Sequence, residues 1–112
     1  MTMIAMPQWR TDADPACPVA DTIDALSGKW KPRLIHILLH GDRHFLAVVR
    51  ALPGASRKVI AAQLRELEAD GIVARTPLDD PRRRVLYALT PRGQSLAQVL
   101  GQLYLWAVDT AA

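Results

Sequence analysis

Residues 56–93 read SRKVIAAQLRELEADGIVARTPLDDPRRRVLYALTPRG, and the spacing of apolar residues changes twice within them. Ser56 is a good helix N-cap and Gly71 a good helix stop. Between them Ile60, Leu64 and Leu67 recur three and four residues apart, which predicts one buried helical stripe. At about 100° per residue, Lys58, Ala62, Arg65 and Ala69 fall on the opposite face. Arg57 and Lys58 occupy the first turn, where cations oppose the helix dipole and acids are preferred, so helix stability does not select them. From Ile72 the period shortens. IVARTPL carries β-branched residues in alternation, Asp79-Asp80-Pro81 makes a turn, and RRRVLYAL alternates again with Val85, Tyr87 and Leu89 on one side. The spacing predicts a hairpin with Arg82, Arg83 and Arg84 at its tip, a charge density that no turn requires. A long helix follows, with Thr90 as N-cap and Pro91 as first residue. Leu96, Leu100, Leu103 and Ala107 make its apolar stripe, widened by Leu105 and Trp106.

Upstream, PVADTIDALSGKW predicts a short helix, with Val19, Ile23 and Leu26 at helical spacing and Gly28 at the cap. A second helix starts at Pro32 and stops at Gly41, and HFLAVVRAL is a third that ends at Pro53-Gly54. The order is helix, helix, helix, turn, helix, hairpin, helix. Two short helices across a tight turn match a helix-turn-helix, and the hairpin directly after them makes it a winged helix. The expected fold is therefore α+β, mostly helical with a two-stranded wing hairpin. In such a unit the second helix of the motif lies in a DNA major groove with its N-terminal residues at base edges. That gives Arg57 and Lys58 a purpose. Arg65 lies further along the exposed face, within reach of a phosphate or base, and the arginine tip can lie over the flanking minor groove or backbone.

Length and composition agree with this reading. The chain has 112 residues, enough for one domain, and half of them are apolar. Net charge is +3 and the pI about 9.5, which permits a nucleic-acid partner without proving one. No stretch approaches the roughly 18–20 apolar residues of a membrane span, and the first residues lack the apolar core of a signal peptide. The expectation is a cytoplasmic protein with a flexible arm over residues 1–16 and one DNA-binding and dimerisation domain over 17–112. The single cysteine, Cys17, excludes an internal disulfide framework and fits a reducing compartment.

Cys17 stands just before a helix N-terminus, a place that favours a thiolate, although cysteine also packs well as a small apolar residue. With no second cysteine, its oxidation has to end in an intersubunit Cys17–Cys17 bond, a mixed disulfide or an adduct. His36 and His40 are four apart, a two-ligand face at best, and neither they nor His44 belong to a pattern of three or four metal ligands. No metal and no cofactor are expected. Trp30 reads as core. The leucine stripe of the last helix with Trp106 reads as dimer core, with a ligand pocket as the rival reading. No P-loop, dinucleotide fingerprint or nucleophile–base–acid arrangement occurs, so the chain does not read as an enzyme.

CPVADTIDALSGKWKPRLIHILLHG, RALPGASRKVIAAQLRELEADGIVAR and RVLYALTPRG together resemble the HxlR-type family of bacterial transcriptional regulators, which carry a MarR-like winged helix-turn-helix. The resemblance runs from about Cys17 to the C-terminus. It implies a homodimer built from the first and last helices, here through Val19, Ile23, Leu96, Leu100, Leu103 and Trp106, on a roughly palindromic double-stranded DNA operator. It implies DNA contacts from Ser56, Arg57, Lys58, Ala61, Ala62 and Arg65 of the recognition helix, and from Arg82, Arg83 and Arg84 of the wing. It also implies that Cys17, the cysteine of the Cys-Pro motif, can sense an oxidant or a small electrophile. His44-Phe45-Leu46-Ala47-Val48 departs from the family's Arg-Phe-x-Glu-Leu, and Ala61 and Ala62 leave few side chains long enough to read bases. Two alternatives stay open: a ligand- or metal-responsive regulator with a structural Cys17, and a protein-interaction module docking through its last helix without binding DNA.

Overall fold

The computed structural model describes residues 17–111; the arm expected over 1–16 lies outside the described residues. In chain order the elements are α1 (Pro18–Ala25), α2 (Lys31–Leu39), β1 (Arg43–His44), α3 (Phe45–Ala51), α4 (Arg57–Ala69), β2 (Val73–Pro77), β3 (Val85–Leu89) and α5 (Pro91–Ala111). The architecture is the expected α+β winged helix, with one addition. Its sheet has three antiparallel strands in the order β1-β3-β2 rather than two. In β1, Arg43 lies opposite Tyr87 and His44 opposite Leu86. Two residues carry no period, so nothing local predicts this strand; it exists because β3 has a free edge beside it.

The core lies where α2, α4 and the sheet meet. Leu34, Ile35 and Leu38 of α2, Val48 of α3, and Ile60, Leu64 and Leu67 of α4 are buried together with Val73, Tyr87 and Leu89. The predicted stripe of α4 is therefore its core face, and the three residues have no exposed surface. Trp30, Leu96 and Leu100 are half-buried against the same core. By contrast α1 buries none of its residues.

Both ends of α4 are closed by the residues that its sequence offers. Ser56 Oγ accepts from the Val59 amide at 3.1 Å. At the other end the Ile72 amide donates to Leu67 O at 2.9 Å and the Gly71 amide to Glu68 O at 3.0 Å. This is a Schellman cap, and it needs the left-handed backbone that Gly71 supplies at φ 74°. Thr90 joins this cap to the last helix: its hydroxyl donates to Gly71 O at 2.6 Å and accepts from the Gly93 amide at 3.0 Å. The first turn of α5 thus sits on the α4–β2 junction, so closely that a Cβ on Gly93 would lie 2.1 Å from Ile72 O. α4, β2 and the last helix are locked together at this point. Among the described residues no helix is long and apolar enough to cross a membrane.

Candidate nucleic-acid interface

The helix-turn-helix is α3, the turn Leu52–Ser56 and α4. Gly54 at φ 99° and the Ala55 amide donating to Leu52 O at 3.2 Å make the turn tight. Val48 and Leu52 anchor α3 in the core, while Leu46 faces out. The family departure at 44–48 therefore splits, with Phe45 half-buried near Tyr87 (ring centroids 6.5 Å apart) and Leu46 on the surface.

Along α4, Arg57, Lys58 and Arg65 are exposed and Ala61 and Ala62 half-buried. Lys58, Ala62 and Arg65 share the face turned away from Ile60, Leu64 and Leu67, with Arg57 and Ala61 between that face and the buried stripe. No carboxylate of the described residues pairs with Arg57, Lys58 or Arg65; the ion pairs there are Lys31–Glu66 and Arg84–Asp80. The face is small at its centre and cationic at its ends, a shape that lets the helix backbone approach a surface closely. Ser56 lies at its edge with its oxygen already used as the cap acceptor.

The wing arginines divide. The strand begins at Val85, so all three lie in the loop at the hairpin tip, where the sequence reading put them. Asp80 Oδ2 accepts from Arg84 Nε at 3.0 Å, and Oδ1 accepts from the Arg84 amide at 3.3 Å. The Arg83 amide donates to Asp80 O at 3.0 Å, and Arg83 itself is left-handed at φ 51°. Asp80 is thus the organiser of the tip. Partial desolvation pushes its carboxyl up, but hydrogen bonds from the Arg84 amide and guanidinium, the guanidinium's charge and the Arg82 amide outweigh that and hold it below the usual aspartate value. Arg82 and Arg83 stay exposed, while Arg84 is tied into the turn.

Cys17 is the N-cap of α1, half-buried, with Sγ accepting from the Ala20 amide at 3.5 Å. Of the residues expected at a dimer interface, Val19, Ile23, Leu103 and Trp106 are exposed, whereas Leu96 and Leu100 pack on the chain's own core. Sequence reasoning missed Lys31. It is 6% exposed, and its Nζ donates to Ala25 O, the end of α1, at 3.1 Å while pairing with Glu66 of α4 at 3.5 Å. A lysine ordinarily reads as solvent-facing, so only the approach of α4 reveals it.

The model of the HxlR-like helix-turn-helix family matches residues 25–112. The chain belongs to the HxlR-like family. It is 35% identical over 94 residues to the uncharacterized HTH-type transcriptional regulator YvaP of Bacillus subtilis (strain 168), covering 83% of this chain and 87% of YvaP. The redox regulator HypR in its reduced form superposes with a TM-score of 0.78 at 35% identity, over 84% of this chain and 93% of HypR. The reduced form of the transcriptional regulator YodB from B. subtilis superposes with a TM-score of 0.75 at 32% identity, over 82% and 91% of the two chains. Membership of the HxlR-like family places the chain among helix-turn-helix transcriptional regulators that bind DNA.

Proposed function

We propose that the protein is a cytoplasmic homodimeric regulator that binds a roughly palindromic operator and responds to oxidants or electrophiles through Cys17. The observation that carries the DNA reading is the first turn of α4. Arg57 and Lys58 are exposed and unpaired there, against the preference of the helix dipole. In a major groove they meet phosphates and base edges. Ala61 and Ala62 let the helix sit deep, and Arg65 takes a flanking contact. Arg82 and Arg83 of the wing lie over the adjacent backbone or minor groove, and Arg84 shapes the loop that presents them. Phosphate contacts supply most of the affinity, and each base contact adds roughly 1–3 kcal/mol of discrimination.

Dimerisation is supported by the apolar residues left outside on α1 and α5. The likeness to HypR, described as a redox regulator, supports a role for Cys17. With one cysteine per chain, two Cys17 thiols from two subunits would form one S–S bond, giving two protons and two electrons to the oxidant. An electrophile would instead add to the thiolate.

Fluorescence anisotropy of a labelled duplex from the gene's own upstream region, across a salt series and with excess nonspecific DNA, tests the reading. Tight binding that resists competitor and is abolished by Arg57→Glu with Lys58→Glu is expected. Binding that competitor removes, or that survives the charge reversal, would mean that this helix does not read an operator. In the same assay diamide should release the wild type and leave Cys17→Ser bound. Release of both would end the thiol-sensing reading while leaving DNA binding intact.

A further inference from the structure

We propose that α4 selects a thymine in its DNA site by contact between Val59 and the 5-methyl group of the base. The proposal rests on the operator-binding reading and names what one part of the helix recognises. Val59 is the third residue of α4, in the turn whose residues meet base edges when a recognition helix enters a major groove. It directly follows Arg57 and Lys58 and is 38% exposed. A β-branched side chain loses rotamer freedom in a helix, and the stripe of α4 that packs the core is Ile60, Leu64 and Leu67. Neither propensity nor core packing therefore selects valine at this place.

The side chains that read bases by hydrogen bonds are withdrawn here. Glutamine reads adenine with its amide, but Gln63, one turn beyond Val59, is half-buried and its Nε2 donates to Glu66 Oε2 at 3.2 Å. Glu66 is in turn paired with Lys31 at 3.5 Å. The Ser56 oxygen already accepts from the Val59 amide at 3.1 Å. Ala61 and Ala62 have no polar side-chain atom. Besides the cations, α4 thus offers methyl groups to the base edges. At about 100° per residue, Val59 lies about 60° round the helix from Ala62 and on the opposite flank from Arg57 and Ala61. Val59 and Ala62 form one apolar strip beside Lys58. Of the four bases thymine alone presents a methyl group in the major groove, so an apolar strip at base level selects it.

Another protein surface is the rival partner for Val59, and the charge of the same helix decides between the two. Arg57, Lys58 and Arg65 have no carboxylate partner among the described residues. A polyanion satisfies those cations, and whatever they hold lies against the strip that they flank.

The full-length protein is used to select its tightest duplexes from a random pool. In the selected duplex each thymine is replaced in turn by deoxyuridine, which removes the 5-methyl group and keeps every hydrogen bond. Fluorescence anisotropy then compares the wild type with Val59→Ala, an exposed change toward the better helix former. The wild type should lose about fourfold in affinity at one thymine, the weight of burying one methyl group, and little at the others. Val59→Ala should bind thymine and deoxyuridine at that place equally, and should match the wild type on the deoxyuridine duplex within about twofold. Full wild-type affinity at every deoxyuridine position overturns the proposal. So does a Val59→Ala protein that keeps the preference for the methylated base, whatever its affinity, because Val59 then only supports the helix. A pool that yields no enriched sequence sinks the operator-binding reading and this proposal with it, whereas enrichment without methyl dependence sinks the proposal alone.

Discussion

Two glycines of α5 have opposite roles, although both stand in the same helix. Gly93 is buried against the Ile72 carbonyl, and a Cβ there would sit 2.1 Å from that oxygen, a clash with backbone that no rotamer relieves. Gly101 has open space around it and only the entropic cost of a helical glycine. Gly93→Ala should therefore destabilise by about 1–3 kcal/mol or more, by forcing α5 off the α4–β2 junction. Gly101→Ala should stabilise by up to about 1 kcal/mol. Urea unfolding midpoints of the two variants check this, and equal shifts would contradict it. Asp80 yields a second prediction. Its carboxyl is held below the ordinary aspartate value in the folded chain, against partial desolvation, by the hydrogen bonds and charge of Arg84. A depressed folded value means that the contribution to the wing is complete above the unfolded value and is lost as pH falls through the folded one. A carbon-13 titration of the Asp80 carboxyl should show a midpoint below that of an exposed aspartate, and Arg84→Ala should move it upward. No movement would mean that Arg84 does not organise the tip. The sequence shows three arginines and two aspartates here, but not which of them pair, because that depends on the turn geometry that Arg83 adopts at φ 51°.

The elements with their own period were legible, and those without one were not. The α4 stripe, its Ser56 cap and its Gly71 stop are all local signals, and the structure places each where the spacing put it. The alternation Val85, Tyr87, Leu89 likewise gave the face of β3 that turns inward. The strand β1 was invisible because two residues define no alternation. Lys31 was invisible for another reason: its partners come from two other elements. It links the end of α1, which Cys17 caps, to Glu66 in the middle of α4. Glu66 also accepts from Gln63 on the same helix at 3.2 Å. This is a contiguous path from the cysteine helix to the recognition helix. Lys31→Met keeps the buried stem and removes the ammonium, leaving Ala25 O and the exposed Glu66 to water. Stability should fall by about 1 kcal/mol and operator affinity little. With Cys17 sensing oxidants as proposed, release from DNA by diamide should weaken, because α1 would no longer bear on α4. Unchanged release in the variant would show that the signal travels by another route, such as the subunit interface.

At the scale of the molecule, the long last helix is too large for the domain it belongs to. The Cα radius of gyration is 16.4 Å, against about 13 Å for a compact domain of about 100 residues, and the outer half of α5 exposes Leu103, Tyr104, Leu105 and Val108. A helix that shows this much apolar surface is stabilised by covering it, and a second copy covers two at once. In the proposed dimer, pairing would fix how the protein meets DNA. Each protomer presents Arg57, Lys58, Arg65, Arg82 and Arg83 without a carboxylate partner, while Arg84 is held by Asp80. If all of these reach phosphates, a dimer releases twice the counterions of a monomer. At about −0.9 per phosphate contact, log affinity against log salt should approach a slope of about −9 for a dimer and about −4.5 for a monomer. Leu103→Glu, in the proposed seam and away from the proposed DNA contacts, should halve the slope while leaving the affinity of one half-site unchanged. Two half-sites moved from one helical turn apart to half a turn, about 5 bp, should have the same effect on the wild type. A slope that responds to neither change would mean that one protomer makes every contact, and that α5 is exposed for a purpose other than pairing two recognition helices.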